Sequence, residues 1–266
     1  MSLCTFNVVK SGERLLTYLR IELGDKYSNR QLRWLIEHQR CKLNGFIERF
    51  CSVRLKKGDV VHLLLEELPR QEKDPQRILF EDDQLLFYNK PAFLSSEQLG
   101  KQLGYELTHR LDRDTSGVIL LAKNPVIQKQ VEELFAAGLI YKRYLAWICP
   151  PPKLSKGSIS LALSKKALHD GASIVVPDPK GKEAVTDWKV LKRRSTSALV
   201  YAFPKTGRTH QIRAHFKALG SPIVGDAVYG GRLQTQKRPL LHAQSINFEL
   251  EGKKYSVQAP LPEDFS

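Results

Sequence analysis

Thr108-His109-Arg110-Leu111-Asp112-Arg113-Asp114-Thr115-Ser116-Gly117 sets two carboxylates and two guanidiniums within a few residues, and an apolar run over 118–122 follows at once. A charged loop tied to a buried strand holds a reactive side chain still while leaving it open to a ligand. By composition alone, the same stretch reads equally as a polar turn ahead of a core strand. The segments around it decide between the two.

Downstream, Asn124-Pro125 is an N-cap with proline in the first helical position. Val126, Ile127, Val131, Leu134 and Phe135 then supply one apolar face, and Gly138 stops the helix. Residues 141–148, 181–190 and 199–203 read as strands; Ala184, Thr186 and Trp188 alternate as structural positions. Residues 205–213, Lys-Thr-Gly-Arg-Thr-His-Gln-Ile-Arg, lead into a helix that runs to Leu219. On it Ile212, Phe216 and Leu219 share a face, while His210, Arg213 and Lys217 fall on another side, free to face a pocket. Residues 222–229 form a turn-rich bridge through Gly225-Asp226, and 240–248 with 254–257 form a closing hairpin. Upstream, 78–80 and 85–88 are strands around an acidic turn, and the loop leading to Thr108 is short.

The first 67 residues differ in texture. Leu15, Leu16, Leu19 and Leu23 predict an amphipathic helix over 12–23. Ser28-Asn29-Arg30-Gln31 predicts a capping box on a second helix. That helix has Leu32, Leu35 and Ile36 inside and Arg30, Arg33 and Arg40 outside. Asn44-Gly45 is a two-residue hairpin turn, and Gly58-Asp59 leads into a strand over 60–65. The charged, proline-bearing stretch after it reads as a linker, giving domains at 1–67 and 77–266 with 68–76 between them.

Net charge is +14 and pI about 9.6, which suits nucleic acid or an anionic membrane surface. No apolar run approaches the roughly 18 residues of a membrane span, and no leader opens the chain. A cytoplasmic protein with an RNA or DNA partner is therefore expected. The charge is +4 over 1–67 and +10 over the rest, so per residue both parts suit the same polyanion. Cys4, Cys41, Cys51 and Cys149 have neither metal-ligand spacing nor a disulfide framework and are expected to be reduced packing residues.

His109-Arg110-Leu111-Asp112 with Thr115-Ser116-Gly117 resembles the signature of the RluA-type pseudouridine synthases, which isomerise uridine in RNA. Lys142-Arg143-Tyr144-Leu145-Ala146 and the segment 205–213 resemble two further family segments. The first 67 residues resemble the S4 RNA-binding domain. Together these resemblances imply an α+β chain. A small S4-like domain would precede a synthase domain built on a mixed, largely antiparallel sheet with flanking helices. Phe93, where the family commonly has glycine, and Ser95-Ser96 depart from its pattern around the pocket rim.

The resemblance assigns the catalytic carboxylate to Asp112, an active-site aromatic to Tyr144 and the neighbouring cation to Arg213. Arg110 would fill the gap left by an everted base or hold its phosphate. Arg30, Arg33, Arg40, Arg208 and His210 would contact RNA, although the helix arginines read equally as a solvated face and Tyr144 as core packing. Isomerisation breaks N1–C1′, turns the base and joins C5 to C1′, releasing only the C5 proton, so no metal and no redox cofactor is expected. Whether the carboxylate attacks C1′ or takes the 2′ proton stays open.

A monomer acting on ribosomal RNA, most often of the large subunit, is the expected substrate relation, with transfer RNA the alternative. A non-catalytic S4-type RNA-binding protein is the rival from another class. His109, Asp112 and Ser116 hold the atoms of a hydrolase triad, but no G-x-S-x-G elbow accompanies them. A kinase loop is disfavoured by the leucine between Arg110 and Asp112.

Overall fold

The computed structural model describes residues 2–24, 27, 29–37, 39–65, 74–167, 173–231 and 236–265. Ser28, the Arg30 side chain and residues 66–73 lie outside the description, and with them the expected capping box and most of the expected linker. The chain divides into two compact units, Met1–Gln71 and Glu72–Ser266.

The first unit runs β1 (Ser2–Asn7), α1 (Leu15–Leu23), α2 (Asn29–Glu37), β2 (Cys41–Leu43), β3 (Phe46–Ile47) and β4 (Val60–Leu65). Its antiparallel sheet has the order β1-β4-β2-β3. Leu15 and Leu19 of α1 and Leu32, Leu35 and Ile36 of α2 are buried together with Val61 and Leu63. α1 begins at Leu15, later than the leucine spacing predicts, because Arg14 is extended and Gly12 has φ 107°. Asn44 (φ 52°) and Gly45 (φ 87°) take the two left-handed positions of the hairpin turn. Arg33 is exposed on α2. Arg40 is not on that helix: α2 ends at Glu37 and Gln39 turns left-handed (φ 65°), so Arg40 enters the path to β2.

The second unit starts with a 3-10 turn, Pro75–Arg77, capped by Asp74. Then come β5 (Ile78–Glu81), β6 (Leu85–Lys90), α3 (Ser96–Leu103), β7 (Glu106–Leu107), β8 (Ser116–Ala122), α4 (Pro125–Ala136) and β9 (Tyr141–Ile148). They are followed by β10 (Lys156–Ser160), β11 (Leu163–Ala167), β12 (Ser173–Pro177), β13 (Val185–Arg193), β14 (Ala198–Pro204), α5 (Gln211–Ala218), β15 (Leu241–Leu250) and β16 (Lys253–Gln258).

One sheet orders β10-β13-β14-β9-β15-β8-β6-β5, with β16 joined to β15 and β7 to β8. The β15–β8 pairing is parallel and the rest are antiparallel, so the sheet is mixed. β11 and β12 form a separate ribbon.

Every residue of β8 is buried, because both faces of the sheet are covered there. Val118 and Leu120 pack with Ile127 and Val131 of α4; Ile119 and Leu121 pack with Leu86, Leu99 and Leu111. That second cluster seats the segment ahead of β8 against the core.

In the second unit three expectations need correction. The stretch read as a loop before Thr108 contains α3, nucleated by a capping box in which Ser95 accepts from the Gln98 N–H and Gln98 reaches back. Val126, counted on the apolar face of α4, is exposed, because it lies about 100° round the helix from the buried Ile127 of the same turn. Leu219 lies past the last residue of α5 and is partly exposed.

Candidate active site

Asp112 lies on residues 108–115, between β7 and β8, and this irregular segment is fastened along its length. Thr108 Oγ1 donates to the Leu120 carbonyl at 2.8 Å, and the Leu120 N–H donates to His109 Nε2 at 3.0 Å. Ser96 Oγ donates to the Leu111 carbonyl at 3.0 Å and accepts its N–H at 2.9 Å. Lys90, wholly buried, donates to the carbonyls of Pro91 (2.9 Å), Leu94 (2.8 Å) and Arg113 (3.1 Å). Arg238 Nη1 reaches the Asp114 carbonyl at 3.3 Å while its Nε and Nη2 grip Asp264 at 2.7 and 2.8 Å. Gly117, with φ 114°, follows where β15 crosses; a Cβ there would stand 2.1 Å from the Ala243 carbonyl oxygen. Only glycine fits that crossing.

Arg213, in the first turn of α5, closes the other side. Its Nε and Nη2 donate to Asp226 at 2.7 and 2.9 Å, and its Nη1 donates to Asp112 Oδ2 at 3.1 Å. Burial disfavours the guanidinium charge, but Asp226 and Asp112 outweigh it and push the pKa up. The fork geometry of arginine is used on Asp226, leaving one N–H aimed at Asp112. Of the basic side expected to face a pocket, His210 and the buried Arg213 line the cleft, whereas Lys217 is exposed and is not part of its lining.

His210, the left-handed residue that opens α5, puts Nε2 3.9 Å from Asp112 Oδ2 and Nδ1 3.2 Å from the Tyr229 hydroxyl. Burial lowers its pKa against the opposing pull of Asp112, so it sits neutral beside the carboxylate. Tyr144 comes from β9, and burial together with the charge of Asp112 raises its pKa, keeping the phenol protonated.

Asp112, Tyr144, Arg213, His210, Arg208 and Arg110 all line one cleft of about 770 Å³. Arg110 is exposed and pairs with Glu97 at 3.2 Å; Arg208 is exposed and donates to the Glu183 carbonyl at 3.0 Å. Arg33 and Arg40 belong to the first unit. The hydrolase atoms do not assemble: His109 Nε2 is occupied by Leu120, and Ser116 Oγ is buried against His242 Nδ1 at 2.9 Å.

The family model described as RNA pseudouridylate synthase matches residues 74–218, more than half of the chain. The chain belongs to that family. An uncharacterised RNA pseudouridine synthase of Zymomonas mobilis is 38% identical over 210 residues, covering 72% of this chain and 96% of the relative. The ribosomal large subunit pseudouridine synthase C of Buchnera aphidicola is 37% identical over 213 residues, 71% of this chain and 67% of its own. The solved human RNA pseudouridylate synthase domain containing 1 shares the fold with a TM-score of 0.65 and 28% identity, over 74% of this chain and 87% of that one. The reaction of this pseudouridylate synthase is thus isomerisation of uridine in RNA.

Residue patterns missed part of the synthase site. Asp226 was legible only as one half of a Gly-Asp turn, yet it is fully buried and orients Arg213. Lys90 followed a strand as an ordinary exposed lysine would, and nothing local marks it as the tie to Arg113. Tyr229, over which Arg213 stacks at 5.0 Å, closes the turn-rich bridge.

Proposed function

We propose that this chain isomerises uridine in large-subunit ribosomal RNA, with Asp112 as the catalytic carboxylate, Arg213 as its fixed counter-charge and Tyr144 against the base. The observation that carries the proposal is the Asp112–Arg213–Asp226 chain at the floor of an open cleft. A carboxylate held by one directed N–H keeps its second oxygen available, as either attack at C1′ or removal of the 2′ proton requires. Tyr144, protonated, offers a ring for stacking, worth roughly 1–3 kcal/mol per base, and an O–H donor for a uracil oxygen. Arg110, exposed at the rim, suits the gap left by the everted base or a flanking phosphate; eversion costs a few kcal/mol. His210 and Arg208 would meet the same nucleotide from the α5 side.

The first unit is proposed as an S4-type RNA-binding domain, residues 1–67, that tethers the substrate. Two helices packed on a small antiparallel sheet, with Arg33 exposed beside the buried Leu32 and Ile36, support that assignment. The protein would act as a monomer in the cytoplasm. Names of relatives support a ribosomal substrate.

RNA carrying tritium at uridine C5 tests the chemistry: label is expected in water with the wild-type chain and not with Asp112→Asn. Retention of all label by the wild type on both ribosomal and transfer RNA sinks the proposal. Mapping pseudouridines in cells with and without the gene tests the substrate; a site lost from transfer RNA instead of the large subunit overturns the ribosomal assignment.

A further inference from the structure

Side chains alternate along a strand, so Lys142, two residues ahead of Tyr144 on β9, points to the same side. Both line the cleft. The intervening Arg143 turns away and lies 4.9 Å from the Tyr201 ring.

Lys142 is half-buried and poorly satisfied. Its Nζ lies 3.4 Å from the Thr206 carbonyl and 5.6 Å from the centre of the Phe135 ring, each near the outer limit of a useful contact. Among the described residues no carboxylate lies within ion-pair distance of it. Glu132 of α4, which shares the cleft, instead accepts from Gln128 Nε2 at 3.1 Å.

The contrast with the other buried lysine is direct. Lys90 spends its three N–H donors on three carbonyls at 2.8–3.1 Å and has structural work to do. Lys142 has one long contact for three donors. Two neighbouring cations on the same wall already hold oxygens: Lys205 pairs with Asp187 at 3.5 Å and Arg208 donates to Glu183. A half-buried ammonium without a counter-charge is costly unless a ligand supplies one. Its pKa falls to about 8 through burial.

We propose that Lys142 seats a phosphodiester of the RNA strand flanking the uridine held over Asp112. The site rests on the uridine reading of the cleft. A step of two residues along β9 is roughly 7 Å, the scale of one nucleotide, so a base against Tyr144 brings a backbone phosphate within reach. The cleft of about 770 Å³ has room beyond one pyrimidine nucleoside. The anion would complete the donors of Lys142 between Phe135 and Thr206, in a cleft whose lining also carries the charged or titratable His109, Glu132, Lys205, Arg208 and His210 beside Asp112 and Arg213.

Full-length wild type, Lys142→Met and Lys142→Arg are compared on large-subunit ribosomal RNA transcribed with tritium at uridine C5. Lys142→Met should raise KM about tenfold, the loss of one charge-assisted bond, and leave kcat at saturating RNA within about twofold. Its plot of log Kd for the same RNA against log salt, from filter retention, should lose roughly 0.7–0.9 of slope. Wild-type KM should rise between pH 7 and 9 as the ammonium deprotonates, and Lys142→Arg should remove that rise. His109 and His210 are already neutral over this range, their pKa values lowered by burial, and Lys90 is common to all three proteins. A kcat loss in Lys142→Met with KM and salt slope unchanged overturns the phosphate site, as does an identical pH profile for wild type and Lys142→Arg. No tritium release by the wild type would instead overturn the enzyme reading, and the salt slope still decides the phosphate site.

Discussion

Helices α2 and α5 are alike on paper and opposite in use. Each is short, carries an aliphatic face and sets an arginine beside it. Arg33 on α2 is exposed to solvent. Arg213 on α5 is buried, with three carboxylate oxygens within 3.1 Å contributed by two distant residues. An exposed arginine acts as mobile charge, whose loss is felt evenly by any polyanion. A buried, forked arginine acts as geometry, and its loss is felt at one atom. Helical spacing does not distinguish them; the presence of Asp112 and Asp226 does.

The largest effect that would sharpen this contrast is at Asp112. Asp112→Asn should lower the rate of tritium release by a factor on the order of 10⁴ or more while leaving RNA affinity within a few-fold. A substantial residual rate would break the contrast at its root. Next comes Asp226→Asn, which removes the charge that orients Arg213. It should cost about 10² in kcat through misplacement of the guanidinium. It should also cost up to about 3–5 kcal/mol of stability, since it breaks a buried pair. Chemical denaturation alongside kinetics separates the two; an unchanged kcat in a folded variant would show that Asp112 does not depend on Asp226.

A third effect concerns the buried floor under Gly117. His242 is buried, and burial together with Arg238 lowers its pKa to about 4. The unfolded chain takes up a proton near pH 6.5 that the folded chain refuses until about pH 4. Its contribution to stability is therefore fully present above pH 6.5 and is lost as pH falls from there towards about 4. The expected slope is roughly 1.4 kcal/mol per pH unit. Thermal melts of wild type and His242→Gln across that window should diverge, and parallel curves would refute it. The smallest effect is at the exposed end: Arg33→Gln should weaken RNA binding a few-fold, reduce the salt slope by about one and leave kcat at saturating RNA unchanged. A kcat loss there would collapse the distinction between the two helices.

Short-range grammar was read well where it acts locally. The Asn44-Gly45 turn, the Asn124-Pro125 cap and the strand over 141–148 all fall where residue chemistry puts them. Helix α3 was legible and passed over: Ser95 and Gln98 spell a capping box, but eight residues from Ser96 hold too few apolar positions for periodicity to stand out. The sheet was not derivable from strands alone, because β15 meets β8, β9 and β16 along one length. Leu219 shows that an apolar residue at the right spacing still needs a partner surface to be buried, and Val126 that an apolar residue next to a buried one can lie off its face.

By itself the sequence determined that the chain is basic enough for RNA and where most helices and strands begin, and its family resemblance pointed to Asp112, Tyr144 and Arg213. Tertiary structure alone decided that Arg213 is aimed by Asp226, that Lys90 and Arg238 pin the loop, and that Lys142 is left short of a partner. The physical reason is distance along the chain. Caps, turns and alternation are settled by neighbours, whereas a charge is tuned by whatever folding brings against it, here a carboxylate 101 residues away.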